Sequence, residues 1–159
     1  MLVAGGGIGG LAAALALVRE GYRVKVIEQA GRIGEIGAGI QLSPNAFAAC
    51  DALGVGAQLR AKAVYTDEMV MFDALDARRV AGISLADAFR ERFGNPYAVI
   101  HRADIHGALL DGVQSARDGR IEFLTSTKGV RIEQDAEGVT LIDAQGGRHE
   151  GQALSLIHI

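Results

Sequence analysis

The chain opens with an apolar run, Leu2-Val3-Ala4, that breaks into glycines and resumes as the alanine- and leucine-rich segment Leu11 to Val18. No charged side chain occurs in the first 18 residues, and Arg19-Glu20-Gly21 then ends the run as a helix stop. A second apolar strand follows, Arg23-Val24-Lys25-Val26-Ile27, ending at Glu28. The order is strand, glycine turn, helix, strand. Glycine-rich Gly31 to Gly39 then gives way to the extended piece Ile40-Gln41-Leu42 and to a helix that starts at Ser43-Pro44 and is closed by Gly54.

Further on, Met69 to Phe72 and Arg79 to Ser84 read as strands joined by the polar turn Asp73 to Arg78, with Leu85 to Phe93 helical. The turn Gly94-Asn95-Pro96 introduces a short buried strand, Tyr97 to Ile100, which leads into a helix over Ala103 to Arg117. From Ile121 the pattern is of strands, with turns at Asp135 to Gly138 and Gln145 to Gly147 and a last strand over Arg148 to Leu154. The expected fold class is α/β: a Rossmann-like βαβ domain with a β insertion. Its first part spans 1–68, the insertion 69–96 and its continuation 97–153.

Gly5, Gly7 and Gly10 occupy the GxGxxG places between the first strand and the first helix. The first glycine permits the tight turn, the second lets backbone approach a pyrophosphate, and the third lets helix and strand pack closely. The helix start presents N–H groups to the phosphates. Glu28, at the end of the second strand, stands where an acid accepts hydrogen bonds from ribose hydroxyls and disfavours a 2′-phosphate. This favours FAD or NAD over NADP. A membrane span or signal peptide fits poorly, because glycines cluster where a spanning helix wants leucine and no basic region precedes the run.

Arg102 stands between a strand and a helix, where a cation opposes the helix dipole and suggests a compensating anion such as a pyrophosphate; its other reading is a solvated side chain or a pair with Asp104. Asp104 reads as a first-turn carboxylate. His101 and His106 lack an orienting partner other than Asp104 and read as structural. Half of the 159 residues are hydrophobic and the net charge is −3, with no basic run, which argues against a nucleic-acid partner. One cysteine, Cys50, excludes an internal disulfide and suits a reducing cytoplasm, with the residue itself expected as buried filler. No cluster has metal-ligand spacing.

With the glycine turn and Glu28, the stretches Gly37-Ala38-Gly39-Ile40-Gln41-Leu42-Ser43-Pro44-Asn45-Ala46 and His101-Arg102-Ala103-Asp104-Ile105-His106 make the chain resemble the class A FAD-dependent aromatic hydroxylases. The segment from Phe89-Arg90 through Gly94 to Arg102 is the more specific part of the likeness. The resemblance implies that Gly5, Gly7 and Gly10 hold the FAD pyrophosphate, Glu28 the adenosine ribose and the Val130 backbone the adenine. It implies that Gly37 to Gln41, with Gly39 and Gln41 as cofactor contacts, pass beside the flavin ring, and that Arg102 contacts the flavin. Residues 69–96 would supply strands to a substrate domain. Gly37 replaces the arginine of the 4-hydroxybenzoate hydroxylase pattern, which favours the salicylate and 3-hydroxybenzoate branch.

The implied chemistry is NADH reduction of FAD, addition of oxygen to give a flavin C4a-hydroperoxide, and attack on a phenolic aromatic acid, with 3-hydroxybenzoate to 2,5-dihydroxybenzoate as the leading case. The resemblance covers residues 1–153, only the N-terminal part of such an enzyme, which would act in the cytoplasm, away from membranes, as a homodimer when full length. The family's later DG and GD motifs are absent, no catalytic residue is assigned, and the chain alone is expected to be inactive. Residues 154–159 are expected to be adapter read-through, since Leu-Ser-Leu-Ile-His-Ile also translates the transposon end CTGTCTCTTATACACATC. A stand-alone dinucleotide-binding module and a flavin dehydrogenase or oxidase are the alternatives. The first would need a natural stop codon after Ile159, and the second would lack the Gly37 to Ala46 pattern.

Overall fold

Strand, glycine turn, helix and strand follow one another as β1 (Leu2–Ala4), α1 (Ile8–Arg19) and β2 (Val24–Ile27). The computed structural model describes residues 1–33, 38–116 and 119–156. Alanine and leucine, both strong helix formers, dominate α1. Its buried residues Gly10, Leu11, Ala14, Leu15 and Val18 recur at the three- and four-residue spacing of one helix face, and that face packs on β1 and β2. Arg19 in the last turn complements the helix dipole.

Two compact units make up the chain, Met1–Ile36 with Ile105–Ile159, and Gly37–Asp104. In the first unit, β8 (Ile121–Leu124) and β12 (Leu154–Leu156) complete a four-stranded sheet in the order β12-β1-β2-β8. Every pairing in it is parallel: Val3 lies opposite Ser155 and Val26, and Val26 opposite Phe123. Strands buried on both faces read as continuous apolar runs, which is why β1 lacks alternation, while β2 is apolar except for Lys25, which pairs with Glu122 of β8. A second sheet, β9 (Gly129–Gln134), β10 (Val139–Asp143) and β11 (Arg148–Gly151), is antiparallel in the order β11-β10-β9. Leu141 of β10 packs with Leu2 and Ile27, and Ala4, Leu124 and Leu154 close over them. Burying each such leucine or isoleucine stabilises by roughly 1.5–3 kcal/mol.

The turn from β10 to β11 is organised by Asp143, whose Oδ1 accepts the N–H groups of Gln145 and Gly147 at 2.9 and 2.7 Å. Its Oδ2 lies 2.8 Å from His149 Nε2, with both side chains largely buried. The His149 hydrogen bond, then the Gly147 N–H, hold the Asp143 carboxyl below the usual carboxylate range.

In the second unit, β3 (Gly39–Leu42), β7 (Ala98–His101) and β4 (Val64–Tyr65) form an antiparallel sheet in the order β3-β7-β4. Helices α2 (Pro44–Ala52) and α3 (Gly56–Lys62) pack together, and Phe47 and Leu59 are fully buried. Arg60 of α3 binds both carboxylate oxygens of Asp51 and Asn95 Oδ1, the latter at 2.7 Å, and sits 5.0 Å from the centroid of the Phe47 ring. This pair holds Asp51 below its ordinary pKa and raises that of Arg60. The hairpin of β5 (Glu68–Phe72) and β6 (Arg79–Ser84) follows, then α4 (Asp87–Phe93).

Several expectations change in detail. Arg148 to Leu154 is two strands, because the bend at Gln152 and Ala153 carries the chain from the antiparallel to the parallel sheet. Ser43 stands at the N-cap of α2 but bonds Asn45 through its side chain and makes no side-chain cap bond. The helix expected from Leu85 begins at Asp87, with Leu85 buried as its anchor. Short α3 and β4 carry too few periodic positions to be read from sequence. Cys50 is half-buried on α2, and desolvation, then Asp51, pushes its thiol pKa up against the lowering effect of Arg60.

Candidate functional site

Gly5 adopts φ +105°, a backbone conformation that side chains resist, and its N–H donates to Ile27 O at 2.8 Å. A Cβ on Gly10 would stand 1.9 Å from Gly5 O, so the helix start lies directly against the turn. Gly7 is the N-cap of α1 in extended conformation, and no acidic side chain occupies the first turn. An anion at that end therefore meets the positive end of the dipole without a competing carboxylate from the helix.

Glu28 closes the site from the end of β2. Its Oε2 accepts the Gly6 N–H at 2.6 Å and its Oε1 accepts the Ala30 N–H at 2.7 Å. Its own backbone is fixed on both sides, the N–H donating to Leu124 O at 2.8 Å and the C=O accepting from Thr127 N at 2.9 Å. A carboxylate offers about four acceptor positions, so two backbone bonds leave room on each oxygen for a hydroxyl donor. Such a carboxylate suits a ribose and repels a phosphate.

Gly5 and Glu28 line a cavity of about 500 Å³ together with Ala4, Ile27, Val130, Ile132 and Leu141. Val130 on β9 is 58% exposed. The space lies within the range of small-molecule and cofactor sites, and its apolar walls with a carboxylate at one edge match a nucleoside, a flat base joined to a diol. The turn, the helix start, Glu28 and this cavity therefore fit the adenosine and pyrophosphate parts of FAD.

The remaining candidates belong to the second unit. Gly39 and Gln41 lie exposed on β3, opposite His101 and Val99 of β7. Arg102 is the first residue of α5 (Arg102–Ser115), and its N–H donates to Ala38 O at 3.0 Å. Gly39 and Arg102 are thus brought to the same end of the β3–β7 ladder. Asp104, in the first turn of α5, pairs with Lys62 at 2.6 Å. Gly37 lies outside the described residues.

His106, which the sequence reads as structural, has a partner in the glycine turn. His106 is 3% exposed, and its Nε2 lies 2.8 Å from Gly6 O. A carbonyl only accepts, so Nε2 carries the proton and donates. The partner is a main-chain oxygen a hundred residues away, which no local pattern discloses. Among the described residues no group of three or more His, Cys, Asp or Glu could hold a metal ion, and no helix is long and apolar enough to cross a membrane.

Known proteins share sequence and fold with this chain. Residues 3–50 match the NAD(P)-binding Rossmann-like domain. The chain is 65% identical over 154 residues to a 3-hydroxybenzoate 6-hydroxylase of Polaromonas naphthalenivorans, covering 97% of this chain and 38% of that protein. It is 50% identical over 145 residues to the enzyme of the same name from Klebsiella oxytoca, covering 91% and 36%. A crystal structure of a Klebsiella pneumoniae HpxO variant complexed with FAD superimposes with a TM-score of 0.78 at 31% identity, over 96% of this chain and 38% of that one. The chain spans less than two-fifths of the length of the curated relatives it matches. Over that span the chain is similar in sequence to proteins named 3-hydroxybenzoate 6-hydroxylase and in fold to an FAD-complexed protein.

Proposed function

We propose that the chain provides the FAD-binding part of an NADH-consuming monooxygenase that hydroxylates a phenolic aromatic acid, with 3-hydroxybenzoate, converted to 2,5-dihydroxybenzoate, as the leading substrate. The observation that carries this reading is Glu28 joined to the glycine turn by the Gly6 N–H at 2.6 Å, at the edge of the cavity lined by Val130. The 65% identity to a 3-hydroxybenzoate 6-hydroxylase supports the choice of substrate.

Bound FAD supplies the oxygen chemistry, and the protein supplies position and exclusion of water. Glu28 accepts the adenosine ribose hydroxyls while remaining bonded to Gly6 and Ala30. The Gly5 to Gly10 turn and the start of α1 receive the pyrophosphate with backbone N–H groups, where the dipole favours negative charge. Val130 covers the adenine. Gly39, Gln41 and Arg102 are assigned to the flavin end, where Arg102 contributes positive charge. The exposed strands β5 and β6 are assigned to the wall of a substrate domain. The 159 residues by themselves do not hydroxylate.

The test is to read the source DNA beyond codon 153, express the complete open reading frame and follow NADH oxidation with 3-hydroxybenzoate and with salicylate. Formation of 2,5-dihydroxybenzoate with stoichiometric NADH use is expected. Preference for salicylate would move the enzyme to the neighbouring branch. A frame that closes after Ile159 in the genome would replace the hydroxylase reading with a small nucleotide-binding module.

A further inference from the structure

We propose that His106 is a positioning residue for the glycine turn: by donating from Nε2 to Gly6 O it sets the direction of the Gly6–Gly7 peptide and so aims the Gly7 N–H at the pyrophosphate of a bound dinucleotide. The proposal rests on the FAD reading above and extends it to a residue on another element.

The geometry begins with the peptide itself. In a trans peptide the carbonyl and the following N–H point in opposite directions, and no cis bond occurs among the described residues. Fixing Gly6 O therefore fixes the Gly7 N–H, directed away from the imidazole. Glycines need such a restraint more than other residues do, because they sample positive and negative φ with equal ease. Gly5, Gly6 and Gly7 are consecutive, so the turn has no side chains of its own to choose one peptide orientation.

Two groups from outside the turn make that choice. Glu28 holds the N–H of Gly6 and His106 holds its C=O, at 2.6 and 2.8 Å. The histidine is suited to its part. It is 3% exposed on α5, whose Ile105, Ala108 and Leu109 are buried too, so a donor left unpaired there would be costly and its bond to Gly6 is strongly preferred. Gly7 is also the N-cap of α1, so the N–H that His106 orients lies at the positive end of the helix dipole.

The test compares His106→Leu, which keeps bulk and removes the donor, with His106→Gln, whose amide nitrogen can replace Nε2. Two readouts are taken on the protein expressed from the complete open reading frame. The first needs no ligand: the carbonyl-carbon shift of Gly6 and the amide exchange rate of Gly7 by NMR. The second is the FAD dissociation constant from quenching of flavin fluorescence. Loss of the Gly6 shift and faster Gly7 exchange are expected in the leucine variant, with FAD binding weakened about tenfold and the glutamine variant within about threefold of the parent.

Equal NMR and binding behaviour of the parent and the leucine variant would overturn the proposal, and so would equal loss in both variants. Should the leucine variant fail to fold, the glutamine variant decides alone, since retention of the Gly6 shift and FAD affinity supports donation and their loss contradicts it. A parent that binds no FAD while its Gly6 shift still depends on His106 would overturn the pyrophosphate role and the FAD reading together, leaving a structural hydrogen bond.

Discussion

Glu28 and His106 hold Gly6 at both of its polar groups, the carboxylate accepting its N–H at 2.6 Å and the imidazole donating to its C=O at 2.8 Å. One residue comes from the end of β2 and the other from α5. The glycine turn is therefore specified by its neighbours as well as by the absence of side chains within it.

Gly10 has the least freedom to change. A methyl group there meets Gly5 O at 1.9 Å, and backbone cannot yield as a flexible side chain would. Gly10→Ala is expected to destabilise the chain by about 1–3 kcal/mol and to lower the melting temperature by several degrees. Thermal unfolding followed by circular dichroism checks this. An unchanged melting temperature would mean that helix and turn do not pack this closely.

Removing the Glu28 carboxylate leaves the N–H groups of Gly6 and Ala30 without that acceptor and takes away the group assigned to the ribose. Glu28→Ala is expected to weaken FAD binding about tenfold or more. The same titration with ADP, which shares the adenosine ribose, should show a similar factor. A loss confined to FAD would place Glu28 elsewhere on the cofactor.

At Val130 the expected effects on binding and stability separate. The side chain is 58% exposed and lines the cavity, so Val130→Asp removes an apolar contact and adds a negative charge near a cofactor that carries two phosphates. FAD affinity should fall severalfold, while stability should stay within about 0.5 kcal/mol, as for most surface substitutions. Fluorescence titration and thermal unfolding of the same preparation distinguish the two.

Much of the first unit was legible because its signals are local. The apolar runs of β1 and β2, the glycine spacing and the acid at position 28 each lie within one element or at its end. Val130, named from family likeness, lies at the cavity beside Glu28 and Gly5. His106 reads from the sequence as structural, and its actual partner, the Gly6 carbonyl, has no sequence signature. The division of Arg148 to Leu154 into β11 and β12 was hidden for a related reason. Both strands are short, and only the parallel pairing of Leu154 with Leu2 shows that the second belongs to a different sheet.

Asp143 gives the chain an acid-sensitive turn. Its folded pKa lies below the unfolded value, so its contribution is complete above the unfolded carboxylate range near about 4 and is lost as pH falls through the folded value. Asp143→Asn retains an oxygen for the Gln145 and Gly147 N–H groups but lacks the charge. The variant should melt below the parent at neutral pH, and the gap should narrow on acidification. A constant gap across the acid range would show that the ionised form of Asp143 is not favoured by folding.

The most direct test of the central claim is titration of FAD into the flavin-free protein expressed from the complete open reading frame, following flavin fluorescence, with ADP as competitor. Saturable quenching that ADP reverses and that Glu28→Ala and Gly10→Ala both weaken is expected. Absence of saturable quenching, or quenching indifferent to both substitutions, would contradict assignment of the glycine turn and Glu28 to the cofactor.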